Sequence, residues 1–391
     1  PDQTEPYDYL NANMAASSAE WVAFIPAGTC FEPQIWLQFG DYINLFKEQT
    51  AFYCDDDVIS SAGERSQPRF KPDFNLDLLR SQDYIGPILC KTTLFEALGG
   101  FDKVPGHENM SLAFKIYERV GADGVGHIAD VLMHLPESVL SLYSTQMTQQ
   151  AVQQHLVRQQ LYAFAEPGLL DKTVRVVYQW PTSPKVSIII PTKDKLEFLR
   201  PSVEAALLKN SYPNFEIIIV NNLSEELDTL EYFRQLSELP EDTLRVIDYP
   251  HTFNYAAISN LAAEQARGEY LLFLNNDTEA LHPEWLERMV AHGQRPEVGI
   301  VGARLVYPET GLIQHAGVIL GMESIADHIY LGALDIKEPG YMGRAQVDQN
   351  FSAVTAACLL IRKSIYQQVG GMDEQQFAVS YNDVDLCLKV R

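Results

Sequence analysis

The chain has 391 residues, 46% of them hydrophobic, and 29 basic against 52 acidic side chains leave a net charge of −23. That length fits two or three domains with full cores, and the acidity argues against a protein that tracks nucleic-acid phosphates or clings to anionic lipid by average charge. The five cysteines (Cys30, Cys54, Cys90, Cys358, Cys387) form no C-x-x-C pair, so a disulfide framework or zinc site is not expected and a reducing compartment is the simplest context.

No apolar run approaches the roughly 18 residues that span a bilayer. The best, 353–361, is short and carries Thr355, so the chain reads as soluble. P-loop, strand-following G-x-G-x-x-G and H-E-x-x-H patterns are absent, which removes the enzyme classes that depend on them.

In chain order, the first 140 residues share three blocks with the last 140. Trp21 stands at the same offset from Asn11 as Tyr270 does from Asn260. LCKTTLFEALGGFD (89–102) parallels LIRKSIYQQVGGMD (360–373), and HENMSLAFK (107–115) parallels YNDVDLCLK (381–389). Three blocks in one order predict two copies of one fold, with residues 1–140 a partial, degenerate copy. The copies are cut differently, so the chain is expected to be a window on a longer protein. Residues 141–184 read as a helical and extended connector, with a Gln-rich helix followed by VRVVYQW.

From 185 to 391 the pattern is apolar strand, turn, amphipathic helix. Strands are predicted at 186–190, 216–220, 244–248 and 270–274, and helices at 196–208, 225–236 and 256–266. This alternation predicts an α/β fold with a mostly parallel sheet and ligands at the carboxyl ends of its strands.

At those ends stand VSIIIPTKD, SYPNFEIIIVNN and NLAAEQARGEYLLFLNNDTE, followed by VGARLVYP…IQHAGVILG, VTAACLLIRK and GGMDE…YNDVDLCLK. Together these blocks resemble a family 2 glycosyltransferase of GT-A fold. They are most similar to bacterial tandem-domain proteins that build cell-surface polysaccharides, some of them rhamnosyltransferases. The resemblance covers 185–391 and, more weakly, 1–140.

It implies an inverting enzyme that moves a sugar from a UDP- or dTDP-sugar to a growing bacterial surface glycan, free or lipid-linked. An O-antigen or cell-wall polysaccharide is the expected product. The expected place is the cytoplasm, with peripheral association at the inner face of the cytoplasmic membrane. The alternative is a catalytically inactive scaffold that binds glycan or nucleotide.

Glycosyl transfer needs the leaving diphosphate neutralised, which hard carboxylate ligands accomplish through a divalent cation. Asp277 fills the last position of what resembles the family's D-x-D motif and Asn275 the first, implying Mg²⁺ or Mn²⁺; an Asx turn is the competing reading. Asp383 sits where the family places its general base, with Asn382 in place of a Glu on the acceptor side. Asp385 reads as a helix N-terminal charge.

The resemblance places nucleotide contacts at Pro191, Thr192, Asn221, Asn222, Arg267, Asn276 and Asp277. Asn221 replaces a base-reading Asp, so thymidine stays open beside uridine. His315, Trp285, Asn382 and Gly371 are assigned to an acceptor or sugar pocket, Gly370-Gly371 forming a turn before the base-bearing helix.

In the first copy, Pro26-Ala27-Gly28 stands at the metal positions and Glu108-Asn109-Met110 at the base positions, so that half is expected to be non-catalytic. Asp55-Asp56-Asp57 reads as a solvated loop. His134 resembles a late metal-ligand histidine standing without its partners.

Overall fold

The computed structural model describes residues 6–102, 106–140, 143–322 and 325–391. The chain divides into two compact units, Pro1–Tyr178 with Pro339–Asn350 and Gln179–Glu338 with Phe351–Arg391.

Unit 1 contains strands β1 (Trp21–Ala23), β2 (Cys30–Phe31), β3 (Ala51–Ile59), β4 (Arg65–Arg69), β5 (Leu89–Lys91) and β6 (Val125–Pro136). Its helices are α1 (Pro6–Ala15), α2 (Ile35–Leu45), α3 (Leu76–Ser81), α4 (Thr92–Ala97), α5 (Glu108–Val120), α6 (Glu137–Leu140) and α7 (Thr145–Arg158), followed by the hairpin of β7 (Ala163–Pro167) and β8 (Val174–Tyr178). The sheet runs β1-β5-β3-β6-β2 with β4 against β3, and its one parallel pair among the described residues is β3 with β6.

The connector expected at 141–184 belongs largely to this unit. The His155 ring of α7 stacks on Phe114 of α5 at 4.3 Å, and Arg158 holds Glu118 at 2.7 Å. Tyr178, at the end of β8, accepts a hydrogen bond from Arg80 at 3.1 Å. An amphipathic helix buries its apolar stripe against whatever helix it meets, and here that is α5.

A second correction concerns Asp55-Asp56-Asp57, which lies in buried β3 and not in a solvated loop. Buried carboxylates cost several kcal/mol each unless paired and hydrogen-bonded, and all three have such partners. Asp56 meets Lys71 at 2.7 Å and is also held by Arg69, Asp55 meets His127 at 2.9 Å, and Asp57 meets Arg65 at 2.7 Å. His134, expected to stand alone, contacts Asp57 at 2.6 Å and Glu32 at 3.4 Å.

Pro339–Asn350 completes unit 1 as a strap. Asn75 and Asn350 exchange side-chain and backbone hydrogen bonds at 2.9 and 3.0 Å, while Asn350 donates to Asp77 at 2.8 Å. Ser81 donates to the Asp348 carbonyl at 3.0 Å, Gln82 to that of Met342 at 2.8 Å, and Tyr341 to that of Pro68 at 2.7 Å.

Unit 2 contains β9 (Val186–Thr192), α8 (Leu196–Leu208), β10 (Phe215–Asn221), α9 (Leu227–Leu236), β11 (Leu244–Asp248), α10 (Tyr255–Gln265), β12 (Tyr270–Leu274) and α11 (Trp285–Gly293). Short strands follow: β13 (Ile300–Gly302), β14 (Leu305–Val306), β15 (Ile313–His315), β16 (Val318–Leu320) and β17 (Ala326–His328). Then come β18 (Cys358–Arg362), α12 (Lys363–Gln368) and α13 (Asn382–Val390).

The main sheet runs β11-β10-β9-β12-β18-β13, parallel across the first four strands and antiparallel at the last two. Its apolar runs are read by both faces. Ile188, Ile190, Ile217, Ile219 and Leu272 join one core with α8, α9 and α11. Ile189, Ile218, Val220, Leu271 and Phe273 join the other with α10, α12 and α13. Each such side chain stabilises by about 1.5–3 kcal/mol when fully buried, so an uninterrupted aliphatic strand is what a sheet covered on both faces requires.

Two sets of contacts recur between the units. Asn11 accepts from the Phe101 N–H at 2.9 Å and donates to the Phe101 carbonyl at 3.2 Å; Asn260 does the same with Met372 at 3.1 and 2.9 Å. Trp21 pairs with Lys91 across β1 and β5, as Tyr270 pairs with Arg362 across β12 and β18. In both pairs the cation also lies over the ring, at 5.7 Å from its centroid.

Candidate active site

The parallel strands of unit 2 end along one edge at Thr192, Asn221, Asp248 and Leu274. The chain leaves β9 for β10 on one side and β12 lies on the other, so the order reverses between β9 and β12. In such sheets that reversal opens a crevice. Pro191 helps create it. Pairing of β12 with β9 ends at Phe273 and Ile189, while β10 stays paired through Val220 and Pro191 to Asn221 and Thr192. Pro191 has no N–H to offer, so β12 is free to diverge there.

Thr192, Asn221, Asn222 and Asn276, four of the expected nucleotide-side residues, lie along this edge. Asn276 donates to Thr192 Oγ1 at 2.9 Å. Asn222 is buried and donates to the carbonyls of Tyr249 at 3.1 Å and His251 at 2.7 Å. Asn221 accepts from Ser224 N–H at 2.9 Å and donates to Asp248 at 2.8 Å. The carboxylate that resemblance leads one to seek on β10 is thus found next door on β11, clasped by the amide.

Segment 355–357, just before β18, ties the rest together. Ala356 N–H donates to Asp383 Oδ2 at 3.0 Å, and Val384 N–H donates to Asp383 Oδ1 at 2.9 Å. Asn275 N–H donates to the Ala357 carbonyl at 3.0 Å, and Tyr255 OH to the Ala356 carbonyl at 3.2 Å. Burial, and then the Asp383 charge, push the Tyr255 hydroxyl well above its ordinary range, so it stays a donor. Asp383 and the Asn275 strand end therefore hang on adjacent residues, Ala356 and Ala357.

Helix α13 begins after Tyr381 in a left-handed conformation (φ 62°) and carries Asp383 in its first turn. The preceding Gly370-Gly371 turn needs positive φ at both residues, 80° and 71°. A Cβ on Gly371 would lie 2.5 Å from Asn260 Oδ1.

Asp277 is exposed at the loop that follows β12, and no basic side chain among the described residues pairs with it. With the amide oxygen of Asn275 two residues earlier, it offers a hard-oxygen donor set suited to a divalent cation that keeps open positions for phosphate. No cluster of three or more His, Cys, Asp or Glu occurs among the described residues.

Five expected contacts fall elsewhere. Arg267 lies before β12, at the amino edge of the sheet, where its guanidinium holds Glu241 and Asp242 and its N–H reaches Glu216 at 2.7 Å. One strand length, roughly 16 Å at 3.3 Å per residue, separates it from the crevice. Trp285 packs against the core. Asn382 is buried and donates to the Val379 carbonyl at 3.0 Å, holding its own turn. Gly371 serves the turn. His315 is 1% exposed with both ring nitrogens occupied, Nε2 by Thr355 N–H at 3.4 Å and Nδ1 by His328 at 2.9 Å. Burial, then His328, push it down to about 3, so it is a neutral structural ring. Asp385, as expected, stays a local helix charge, paired with Lys389 at 2.6 Å.

Sequence reasoning missed Thr355–Ala357, Tyr255, Asp248 and His328. The one local signal was the run of small residues before β18, which permits close approach of backbone.

Residues 187–370 match the Glycosyl transferase family 2 model. The chain is 36% identical over 395 residues, 97% of its length, to Uncharacterized protein y4gI of Sinorhizobium fredii, covering 43% of that protein. It is 37% identical over 396 residues, again 97% of its length, to O-antigen biosynthesis protein RfbC of Myxococcus xanthus, covering 30% of it. The chain thus spans less than half the length of these relatives. Mannosyltransferase PcManGT from Pyrobaculum calidifontis, solved with GDP-Man and Mn²⁺, aligns with a TM-score of 0.39 at 16% identity, over 54% of this chain and 52% of that one. The stretch from 187 to 370, most of it in unit 2, is thus what matches the glycosyl transferase family 2 model, and it folds as a mixed α/β sheet whose strand order reverses between β9 and β12.

Proposed function

We propose that unit 2 transfers a sugar from a UDP- or dTDP-sugar to a bacterial surface glycan, O-antigen or cell-wall polysaccharide, by a single in-line displacement that inverts the anomeric centre. The observation that carries this reading is segment 355–357, which ties the Asp383 carboxylate to the Asn275 strand end. Asp383 takes the proton of the acceptor hydroxyl as that oxygen attacks, and its two amide donors hold it in one orientation for the task.

Asp277 and Asn275 would hold Mg²⁺ or Mn²⁺, whose charge neutralises the departing diphosphate. Pro191, Thr192, Asn221, Asn222 and Asn276 form the nucleotide edge, with Asp248 as the carboxylate nearest the base position. We read the site as working on the cytoplasmic side, where nucleotide sugars and lipid-linked acceptors would meet.

Unit 1 is read as a partial copy of the same fold without catalysis, supported by the recurring Asn11 and Asn260 contacts. Calorimetry with UDP and dTDP, with and without Mn²⁺, tests the donor site: metal-dependent heat is expected, and its absence favours an inactive scaffold. Asp383→Asn should abolish release of nucleoside diphosphate from a panel of UDP- and dTDP-sugars while UDP binding persists.

A further inference from the structure

His315 and His328 face each other from β15 and β17, with Nδ1 to Nδ1 at 2.9 Å and ring centroids 4.8 Å apart in an edge-on arrangement. Their protons follow from their partners. A backbone N–H can only donate, so His315 Nε2, which receives Thr355 N–H at 3.4 Å, carries a lone pair. A neutral imidazole holds one proton, which therefore sits on His315 Nδ1 and points at His328 Nδ1. His328 must accept there and keep its own proton on Nε2.

The next peptide N–H along, that of Ala356, is the one bound to Asp383 Oδ2 at 3.0 Å. His315 and Asp383 thus grip successive amides of one short segment, and that segment also receives the Asn275 N–H at Ala357.

We propose that the His328–His315 pair is a positioning device for the transfer reaction: by fixing Thr355 N–H, it holds Ala356 N–H against Asp383 and so sets the height of the base above the crevice. Both rings act through the 355–357 backbone. The inference rests on the assignment of Asp383 as base.

A ring that merely filled the core would be indifferent to which nitrogen is replaced. The positioning role is not. Gln places an acceptor near the His Nε2 position, whereas Asn mimics Nδ1. In the full chain His315→Gln should retain most of the nucleoside diphosphate release from the active UDP- or dTDP-sugar. His315→Asn should lose about tenfold or more in kcat with donor KM unchanged, in line with the cost of a misplaced catalytic group. His328→Asn, which keeps an acceptor toward His315, should outperform His328→Leu in the same way.

Nitrogen-15 spectra of selectively His-labelled wild-type protein supply a readout that needs no variant. His315 Nε2 should appear unprotonated and Nδ1 protonated. The reverse tautomer, or equal kcat losses for His315→Asn and His315→Gln while Asp383→Asn is inactive, overturns the positioning role alone. Full turnover by Asp383→Asn overturns the base assignment and this inference with it.

Discussion

The two units carry the same clasp and different chemistry. In each, an Asn on the helix before an aromatic-led strand locks the Gly-Gly turn, and that aromatic residue is covered by a cation on the partner strand. Beyond that frame they part. Where unit 2 has Asn275, Asn276 and Asp277, unit 1 has Pro26, Ala27 and Gly28. Where Asp383 accepts from a backbone N–H in unit 2, Asn109 in unit 1 donates its amide to the Phe24 carbonyl at 3.1 Å. One helix position has exchanged an acceptor for a donor. Frame contacts and chemistry-bearing positions are thus separable: packing of the first does not require the second.

The strongest way to break that comparison is at the base. Asp383→Asn is expected to lower turnover by about a hundredfold or more, whereas Asn109→Asp in unit 1 should leave turnover unchanged; a loss from the second would show that unit 1 takes part. Next comes Asp277→Ala, which should remove Mn²⁺-dependent UDP binding in calorimetry, while Gly28→Asp should add none.

The frame itself can be tested by matched glycine changes. Gly100→Ala and Gly371→Ala each place a Cβ within 2.4 and 2.5 Å of an Asn side chain at φ of 74° and 71°. Each should destabilise its unit by about 2–4 kcal/mol in denaturant melts. Unequal costs would weaken the equivalence.

The smallest effect is pH dependence in unit 1. Burial pushes His155 down to about 4 from an ordinary value of 6.5. The unfolded chain therefore binds the extra proton between those values, and stability falls as pH drops from 6.5 to 4, by at most about 3 kcal/mol. Glu118, held below the usual carboxylate range despite burial by His155 and Arg158, acts only at lower pH. A melting midpoint that stays flat across that window refutes the assignment.

Much of this was legible in the residues. Aliphatic runs at 186–190, 216–220 and 270–274 became strands because burial on both faces leaves no alternation to misread, while 244–248 adds the half-buried edge beside them. The repeated Asn and Gly-Gly announced a shared clasp, since a Gly with positive φ cannot be replaced cheaply. What stayed hidden was long-range. Asp57 meets Arg65 eight positions away but His134 seventy-seven away, so β3 looked like an acidic loop. Arg267 is close in sequence to the crevice and a strand length from it in space. His328 acts through His315, and no spacing rule links them.

The strap has a consequence for synthesis. Unit 1 needs Pro339–Asn350 to engage Asn75, Asp77, Ser81 and Gln82, yet those twelve residues leave the ribosome long after Tyr178. At about 5–20 residues per second, the first unit waits roughly ten to thirty seconds for its final piece. During that interval the nascent chain offers the ends of α3 to whatever chaperone is near, and unit 1 is closed only after most of unit 2 has been made.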